Sequence, residues 1–459
     1  MKNTRVRAIG LTFLTFLFLI GLCTLTFKIF INSSSWALNA VNKHVNTIGL
    51  TKCGTITDRN NEILAQSKEN KRLYNKNENT RKALLHTVGD NSLKISTAIQ
   101  TLYRSELIGF NFITGIKSPE FLSPKSDIKL TLDSNCCKHA FEMLENKKGA
   151  VVVYNYKTGD ILCMVSTPTY DPENPPEVKA LNNEKYEGVY LNRVISSAYT
   201  PGSVFKVITS ICAINNMNDI DNKVYNCSKV FPVNGKDITC LSNHQNLKFK
   251  DALMKSCNIY FAKLAIELGK DKMMENASKL FFNKSFKINK AQTKMSQYDI
   301  KNINDYQLGW SGIGQHNNLL NPMHMLIIMG AIANDGNAVM PNMISEINTP
   351  NSIGALNYQV LKKEDPINLM SKETANKIKY AMRYTVKNNY GDSMFPGLNV
   401  CAKTGTAEVG ENKNPTAWMV GFSSNGKTPL AFVVAIEDSG YGIKEAGPIA
   451  KSVLTNLAK

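Results

Sequence analysis

The chain has 459 residues and a formal charge of +17, from 54 lysines and arginines against 37 acidic residues. This length accommodates one large domain and one small one. The positive charge is scattered and accompanies no nucleic-acid-reading motif, which argues against a nucleic-acid partner. Attraction to anionic lipids or polymers is one interpretation of the charge. The abundance of lysine and asparagine favours the other, a biased base composition.

An uncharged, strongly apolar run occupies residues 8–27. At about 1.5 Å rise per residue it spans roughly 30 Å, the thickness of a bilayer's hydrocarbon. Basic residues precede the run, so the positive-inside rule places the N-terminus in the cytoplasm and the rest of the chain outside. A cleaved signal peptide is the alternative, but its apolar region would be shorter and no clear cleavage site follows. We therefore predict a cytoplasmic tail at 1–7 and a single-pass membrane anchor at 8–31.

The ten cysteines show no C-x-x-C spacing, and the six histidines do not cluster with them in sequence. This pattern predicts no metal site. Cys227 and Cys240 flank a short loop and could form a disulfide if oxidised. The number of cysteines also suggests a reducing habitat in which both thiols stay free, and the two possibilities remain open. His244 has no acidic partner nearby in sequence and is interpreted as structural.

Residues 33–145 are polar and extended in pattern, with helical patches such as 94–107. From residue 149 the pattern changes to apolar β-type runs joined by a hairpin signal, followed by a nearly all-apolar helix. The predicted strands are 149–154, 161–166, 400–407, 417–423 and 430–436, and the predicted helices are 207–214, 252–268, 322–334 and 448–457. This order predicts an α+β architecture, an antiparallel sheet with helices on its faces.

Three short motifs supply the groups of one acyl-transfer site: Ser203-Val-Phe-Lys206, Ser256-Cys-Asn258 and Lys403-Thr-Gly405. A serine hydroxyl is a poor nucleophile until a neighbouring base takes its proton. A helix beginning near residue 201 would place the serine and lysine of the first motif on one face. A lysine acts as a base once desolvation and a nearby cation lower its pKa.

Lys403 is the candidate for that nearby cation, and Ser256 for a proton relay to the leaving group. Each has a simpler interpretation: Ser256 as a helix N-cap, and Lys403 as a solvated strand lysine. Thr404 and Thr406 could likewise be ordinary strand residues. The occurrence of all three motifs in order favours the catalytic interpretation.

The residues that flank these three motifs extend the match to one family. Tyr199-Thr-Pro-Gly-Ser-Val-Phe-Lys206 is close to Y-x-P-G-S-x-F-K, and Lys403-Thr-Gly-Thr-Ala407 is followed by a typical strand. Over roughly 146–459 the chain resembles the monofunctional (class B) penicillin-binding proteins, in a short-pedestal, penicillin-binding protein A-like form. The resemblance implies the serine β-lactamase/penicillin-binding transpeptidase fold and peptidoglycan D,D-transpeptidase activity.

The resemblance also implies a role for each site residue. Ser203 would attack the penultimate D-alanine of a stem peptide, and Lys206 would take its proton. Ser256 and Lys403 would pass a proton to the leaving nitrogen, while Asn258 would bind the substrate amide. Lys403, Thr404 and Thr406 would hold the substrate carboxylate, with Gly405 letting the donor backbone approach closely. The backbone N–H groups of Ser203 and Thr406 would form the oxyanion hole.

Further expectations follow from the family. Residues 32–145 would form an N-terminal pedestal or dimerisation-like region that docks on a SEDS-family (RodA/FtsW-like) polymerase, and 146–459 the transpeptidase domain. Residues 58–65 resemble the segment that follows the anchor in this family, with Asn61 where glycine is usual. Stem peptides, β-lactams and the cytoplasmic membrane are the expected partners, with no metal or other cofactor. The enzyme would lie in the cell membrane, with its catalytic domain extracytoplasmic.

Three other functions use the same fold. A β-lactamase or β-lactam sensor needs deacylation or signalling parts, and no carboxylate soon follows Ser256-Cys-Asn258. A degenerate scaffold that activates a polymerase is disfavoured by the intact motifs. A D,D-carboxypeptidase, with water as the acceptor, remains open from the residues alone, although the pedestal and anchor favour a transpeptidase.

Overall fold

The structure is a computed structural model that describes residues 2–38, 42, 49–111, 115, 124–177, 183–350, 356–360, 364–408, 410 and 414–458. It begins with one long helix, Lys2–Ala37. Within this helix, Thr4–Ser34 is long and apolar enough to cross a membrane, with a mean hydropathy of 2.3 over an 18-residue stretch. Its large apolar side chains are exposed, as in Phe13 at 61% and Phe18 at 70%. The predicted anchor at 8–31 lies inside this segment, and its length and composition are compatible with a single-pass anchor.

The residues from 56 to 130 form a sheet together with two strands from 344–360, and not an extended region. Six strands pair in the order Leu356–Val360, Ile344–Pro350, Asp127–Leu130, Ile56–Thr57, Ile63–Lys68 and Lys71–Tyr74. All neighbours are antiparallel except Ile56–Thr57 and Asp127–Leu130, which are parallel. The helices of this part are Glu78–Val88, Ile99–Leu102, Arg104–Ile108 and Ser134–Leu144. The extended pattern predicted here was wrong because the strands are short and their polarity does not follow burial: Arg72 is buried, whereas Ile63 is exposed.

A second sheet forms the centre of the molecule. Its five antiparallel strands follow the order Val400–Ala407, Thr416–Ser423, Leu430–Ile436, Gly149–Asn155 and Ile161–Thr167. Every residue of the second, third and fifth of these strands is buried, so helices cover both faces. Helices Pro322–Ala333 and Gly442–Leu457 pack against it. The α+β architecture and all five predicted strands are confirmed.

Two predicted helix boundaries differ from the structure. The closing helix begins at Gly442 and contains Pro448, whereas the sequence predicts a start at the proline. The predicted helix 252–268 is in fact two helices, Phe249–Met254 and Asn258–Lys279. They are separated at Ser256, whose φ of 52° is incompatible with a right-handed helix.

The remaining elements connect these layers. The short paired strands are Val224–Cys227 with Gln245–Lys248, Val230–Val233 with Lys236–Thr239, Lys287–Ile288 with Ala291–Gln292, and Asn337–Ala338 with Ile367–Asn368. The remaining helical segments are Glu184–Tyr186, Arg193–Ser196, Gly202–Phe205, Lys206–Asn216, Ile220–Asn222, Asp305–Gly312, Lys372–Thr385, Val386–Tyr390 and Asp392–Met394.

Candidate active site

The serine and lysine of the first motif lie on one tight turn. Gly202–Phe205 forms a 3-10 helix that continues into the α-helix Lys206–Asn216. Residues three apart eclipse each other in a 3-10 turn, and Lys206 Nζ lies 2.9 Å from Ser203 Oγ. Gly202 makes the turn possible: its φ is 54°, and a Cβ there would lie 2.7 Å from the carbonyl oxygen of Thr406. The predicted one-face arrangement of the pair is confirmed.

Lys206 is fully buried and surrounded by oxygen acceptors. Besides Ser203 Oγ, its Nζ lies 2.7 Å from Ser256 O, 3.1 Å from Ser256 Oγ and 2.8 Å from Asn258 Oδ1. None of these hydrogen-bond partners, all within the described residues, is a carboxylate. Burial lowers the pKa of Lys206 to about 8, although the nearby thiols of Cys240 and Cys257 raise it. A substantial fraction of the amine is therefore neutral near physiological pH and able to take a proton from Ser203.

Ser256 and Asn258 reach Lys206 from the junction between two helices. Cys257 and not Ser256 is the N-cap of helix Asn258–Lys279, its Sγ accepting from the N–H of Tyr260 at 3.4 Å. The simpler interpretation of Ser256 as an N-cap is therefore wrong. Its Oγ instead lies between two lysine amines, 3.1 Å from Lys206 Nζ and 2.9 Å from Lys403 Nζ. This position suits a proton relay.

Lys403 enters the site from the edge strand Val400–Ala407. It is 1% exposed, so the interpretation as a solvated strand lysine is also wrong. Its Nζ donates to Ser256 Oγ and, at 3.0 Å, to the carbonyl oxygen of Thr404. Burial, followed by repulsion from Lys206, holds the pKa of Lys403 well below its usual range. The two lysines thus share one desolvated region, in which burial favours the neutral form of each amine, with a serine hydroxyl between them.

The residues after Lys403 are positioned by neighbouring elements. The N–H of Thr404 donates to Tyr390 Oη at 3.0 Å, and the two hydroxyls lie 2.9 Å apart. The Thr406 hydroxyl accepts from the N–H of Gly442 at 3.2 Å. A Cβ on Gly405 would lie 2.9 Å from the carbonyl oxygen of Pro201. The glycine therefore lets the strand approach the turn that carries the nucleophile.

Supporting residues outside the three motifs fix this arrangement. Trp418 Nε1 donates to the carbonyl oxygen of Thr200 at 3.1 Å, which ties the sheet to the chain just before Ser203. Tyr199 Oη and Arg193 Nε both bind Glu437 Oε1, at 2.8 and 2.7 Å. Sequence reasoning missed these supports and Tyr390. The motif text contained Tyr199 and Trp418, but no local signal linked them to their distant partners.

A group of thiols lies directly behind the second motif. One ligand atom from each of Cys227, Cys240, His244 and Cys257 lies within 4.8 Å of the others. The absence of C-x-x-C spacing does not account for this group, because Cys240 and His244 are four residues apart and Cys227 and Cys257 each lie 13 residues from that pair. Cys227 and Cys240 are both free thiols in the structure.

Comparison with known proteins gives a consistent result. The family model described as the penicillin binding protein transpeptidase domain matches residues 149–455. Peptidoglycan D,D-transpeptidase PbpA of Mycobacterium tuberculosis is 28% identical over 335 residues, covering 67% of this chain and 66% of the relative. Penicillin-binding protein 3 of Bacillus subtilis is 26% identical, covering 68% of this chain and 48% of the relative. The chain thus spans just under two thirds of the M. tuberculosis protein and about half of the B. subtilis one.

Solved structures agree on the fold. The crystal structure of penicillin-binding protein A from M. tuberculosis has a TM-score of 0.75 at 25% identity and covers 89% of this chain and 100% of that one. A ceftriaxone acyl-enzyme complex of the same mycobacterial protein has a TM-score of 0.77 at 24% identity, covering 90% and 99%. The likeness extends beyond the matched residues 149–455 into the N-terminal part.

Proposed function

Because the chain belongs to the penicillin-binding protein transpeptidase family, we propose that it is a peptidoglycan D,D-transpeptidase that works through an acyl-enzyme on Ser203. The observation that carries this proposal is the buried Lys206 amine, 2.9 Å from Ser203 Oγ and without a carboxylate among its described partners. The M. tuberculosis relative bears the name of this activity. The same chemistry makes β-lactams covalent inhibitors.

The geometry supports the following route for acylation. Neutral Lys206 takes the Ser203 proton as Oγ bonds to the carbonyl carbon of the penultimate D-alanine. The backbone N–H groups of Ser203 and Thr406 stabilise the oxyanion. A proton then passes by way of Ser256, which lies between the two lysines, to the nitrogen of the departing D-alanine. Asn258 binds the substrate amide.

The substrate carboxylate binds at the third motif, where Lys403 supplies positive charge and Thr404 and Thr406 supply hydroxyls. In the second half-reaction the amine of a neighbouring stem peptide attacks the ester carbonyl. This attack breaks the ester bond to Ser203 and forms the cross-link, and the proton from the attacking amine passes through the lysine–serine relay to Ser203 Oγ. No cofactor enters either step.

The test is product analysis with purified full-length protein in detergent, a pentapeptide donor and an amine acceptor. A transpeptidase forms the cross-linked dimer in proportion to acceptor concentration. A D,D-carboxypeptidase releases D-alanine at a rate independent of the acceptor, and that result would refute the proposed reaction while leaving acylation intact. Lys255→Arg, at an exposed lysine beside Ser256, is the matched control and should leave both products unchanged.

The N-terminal parts are proposed to place the enzyme in the membrane. Residues 1–7 form a cytoplasmic tail, 8–31 cross the membrane, and 32–145 form a pedestal below the transpeptidase domain at 146–459. The exposed apolar helix supports the crossing. In intact spheroplasts, added protease should remove the catalytic domain and spare an N-terminal tag. Loss of the tag would contradict this topology.

The pedestal is proposed to dock on a SEDS-family polymerase, which would supply the strands that the transpeptidase cross-links. Replacing 32–145 outright would remove four strands of the six-stranded sheet, so a surface change is the sharper test. Arg59→Glu, at an exposed position in the resembling segment, should reduce co-purification of the polymerase. Lys427→Glu, at an exposed position elsewhere, should not. Equal recovery with both variants would contradict docking at this segment.

A further inference from the structure

The fold gathers four metal-ligand side chains behind the Ser256-Cys-Asn258 motif. Cys227 ends strand Val224–Cys227, and His244 immediately precedes its partner strand. Cys240 immediately follows Thr239, the last residue of a neighbouring hairpin, and Cys257 caps a long helix. A hairpin, a strand pair and a helix terminus thus converge on one point. The three thiols are at most 6% exposed.

Three of the six distances within this group match those of a tetrahedral metal centre, and the rest are below 4.8 Å. The Sγ atoms of Cys240 and Cys257 lie 3.9 Å apart. His244 Nδ1 lies 3.5 Å from Cys240 Sγ and 3.6 Å from Cys227 Sγ. A tetrahedral zinc ion with Zn–S of about 2.3 Å and Zn–N of about 2.0 Å separates two sulfurs by about 3.8 Å and sulfur from nitrogen by about 3.5 Å.

We propose that Cys227, Cys240, His244 and Cys257 bind a structural zinc ion. Three thiolates and one imidazole are a donor set of closed structural zinc sites. The soft sulfur ligands disfavour calcium and magnesium, which take oxygen. A disulfide between any two of the cysteines would leave the third thiol and the imidazole without a common partner, whereas one zinc ion binds all four.

The zinc site is continuous with the catalytic residues. Cys257 lies between Ser256 and Asn258, and both neighbours accept hydrogen bonds from Lys206. The N–H of Asn258 donates to Cys240 Sγ at 3.4 Å, and its side-chain Nδ2 donates to the carbonyl oxygen of Thr239 at 3.1 Å. Zinc therefore holds the segment whose positive-φ residue, Ser256, faces both lysines. This coupling to acylation rests on the proposed function, while the metal site itself does not.

Metal content is the first measurement, made on full-length protein purified in detergent from cells grown with zinc. Elemental analysis should find one zinc per chain in the wild type and at most one tenth of that in Cys257→Ala and His244→Ala. Cys53→Ala, at a buried cysteine in the N-terminal part, is the matched control and should keep its zinc. Wild-type protein that neither contains zinc nor takes it up would overturn the site.

Cobalt replacement tests the ligands in case the cysteine variants fold poorly. Wild-type protein loaded with Co²⁺ should show the visible bands of a tetrahedral ion together with thiolate-to-cobalt charge transfer. His244→Ala removes the imidazole, so any cobalt it binds should keep the charge transfer and show altered visible bands. Absence of charge transfer in the wild type would exclude thiolate coordination.

The coupling is tested by removing zinc with a chelator and measuring acylation by fluorescent penicillin. The rate should fall at least tenfold and return when zinc is added back, in parallel with the melting temperature. An unchanged rate after complete zinc loss would contradict the coupling and leave the site standing. Ser203→Ala should lose acylation and keep its zinc, so failure of the metal site and failure of the proposed reaction give different results.

Discussion

The rate of acylation should depend on pH with a midpoint set by Lys206. Burial lowers the pKa of this amine from 10.5 to about 8. At pH 7 the neutral fraction then rises from about 0.03% to about 9%, roughly 300-fold or about 3 kcal/mol of base availability. Because only the neutral amine takes the Ser203 proton, the rate constant should rise about tenfold between pH 7 and 9 and then level off.

The assay is the second-order rate of labelling by fluorescent penicillin between pH 6 and 10, corrected for hydrolysis of the reagent. Lys206→Arg keeps the charge but does not lose a proton in this range. Its rate should be lower by several orders of magnitude and should lack the midpoint near 8. Lys255→Arg should reproduce the wild-type curve. A wild-type profile that is flat, or whose midpoint stays near 10.5, would refute the role of burial.

Three further substitutions test separate parts of the account. Lys403→Arg keeps the positive charge, so its acylation rate should fall only about tenfold, about 1.4 kcal/mol in the barrier; a loss as large as that of Lys206→Arg would argue against a chiefly electrostatic role. Gly405→Ala places a Cβ 2.9 Å from Pro201 O and should cost about 1–3 kcal/mol in thermal or denaturant unfolding and slow acylation, whereas Gly426→Ala, which has nothing within 4 Å, should do neither. Arg81→Ala breaks the buried ion pair with Asp171 at 2.7 Å and should lower the free energy of unfolding by about 3–5 kcal/mol. Lys279→Ala, which breaks an exposed ion pair, is the control. An equal loss of stability in the two variants would show that the Arg81–Asp171 contact does not hold the N-terminal part to the rest.

The central sheet and the nucleophile turn could be predicted because their signals are local. Strands such as 430–436 are continuous apolar runs, and the spacing of Ser203 and Lys206 places them together in any helical turn. The order of the motifs then identified Ser256 and Lys403 as partners, which the hydrogen bonds of the structure confirm as neighbours.

Other features depend on contacts that are distant in sequence. The helix break at Ser256 lies within a sequence that otherwise favours a helix. Its cause is a positive φ, which the residue types at this position do not predict. The six-stranded sheet combines short strands from residues 56–130 with strands from 344–360. C-x-x-C spacing does not predict the thiol group, because a hairpin, a strand pair and a helix terminus each contribute ligands.

The most direct measurement of the central claim is the site of acylation. Full-length protein is incubated with penicillin, digested, and the adduct is mapped by tandem mass spectrometry. We expect one penicilloyl ester, on Ser203. The Ser203→Ala variant should keep its melting temperature and carry no ester. An adduct on Ser256, or labelling that persists in the variant, would contradict this expectation.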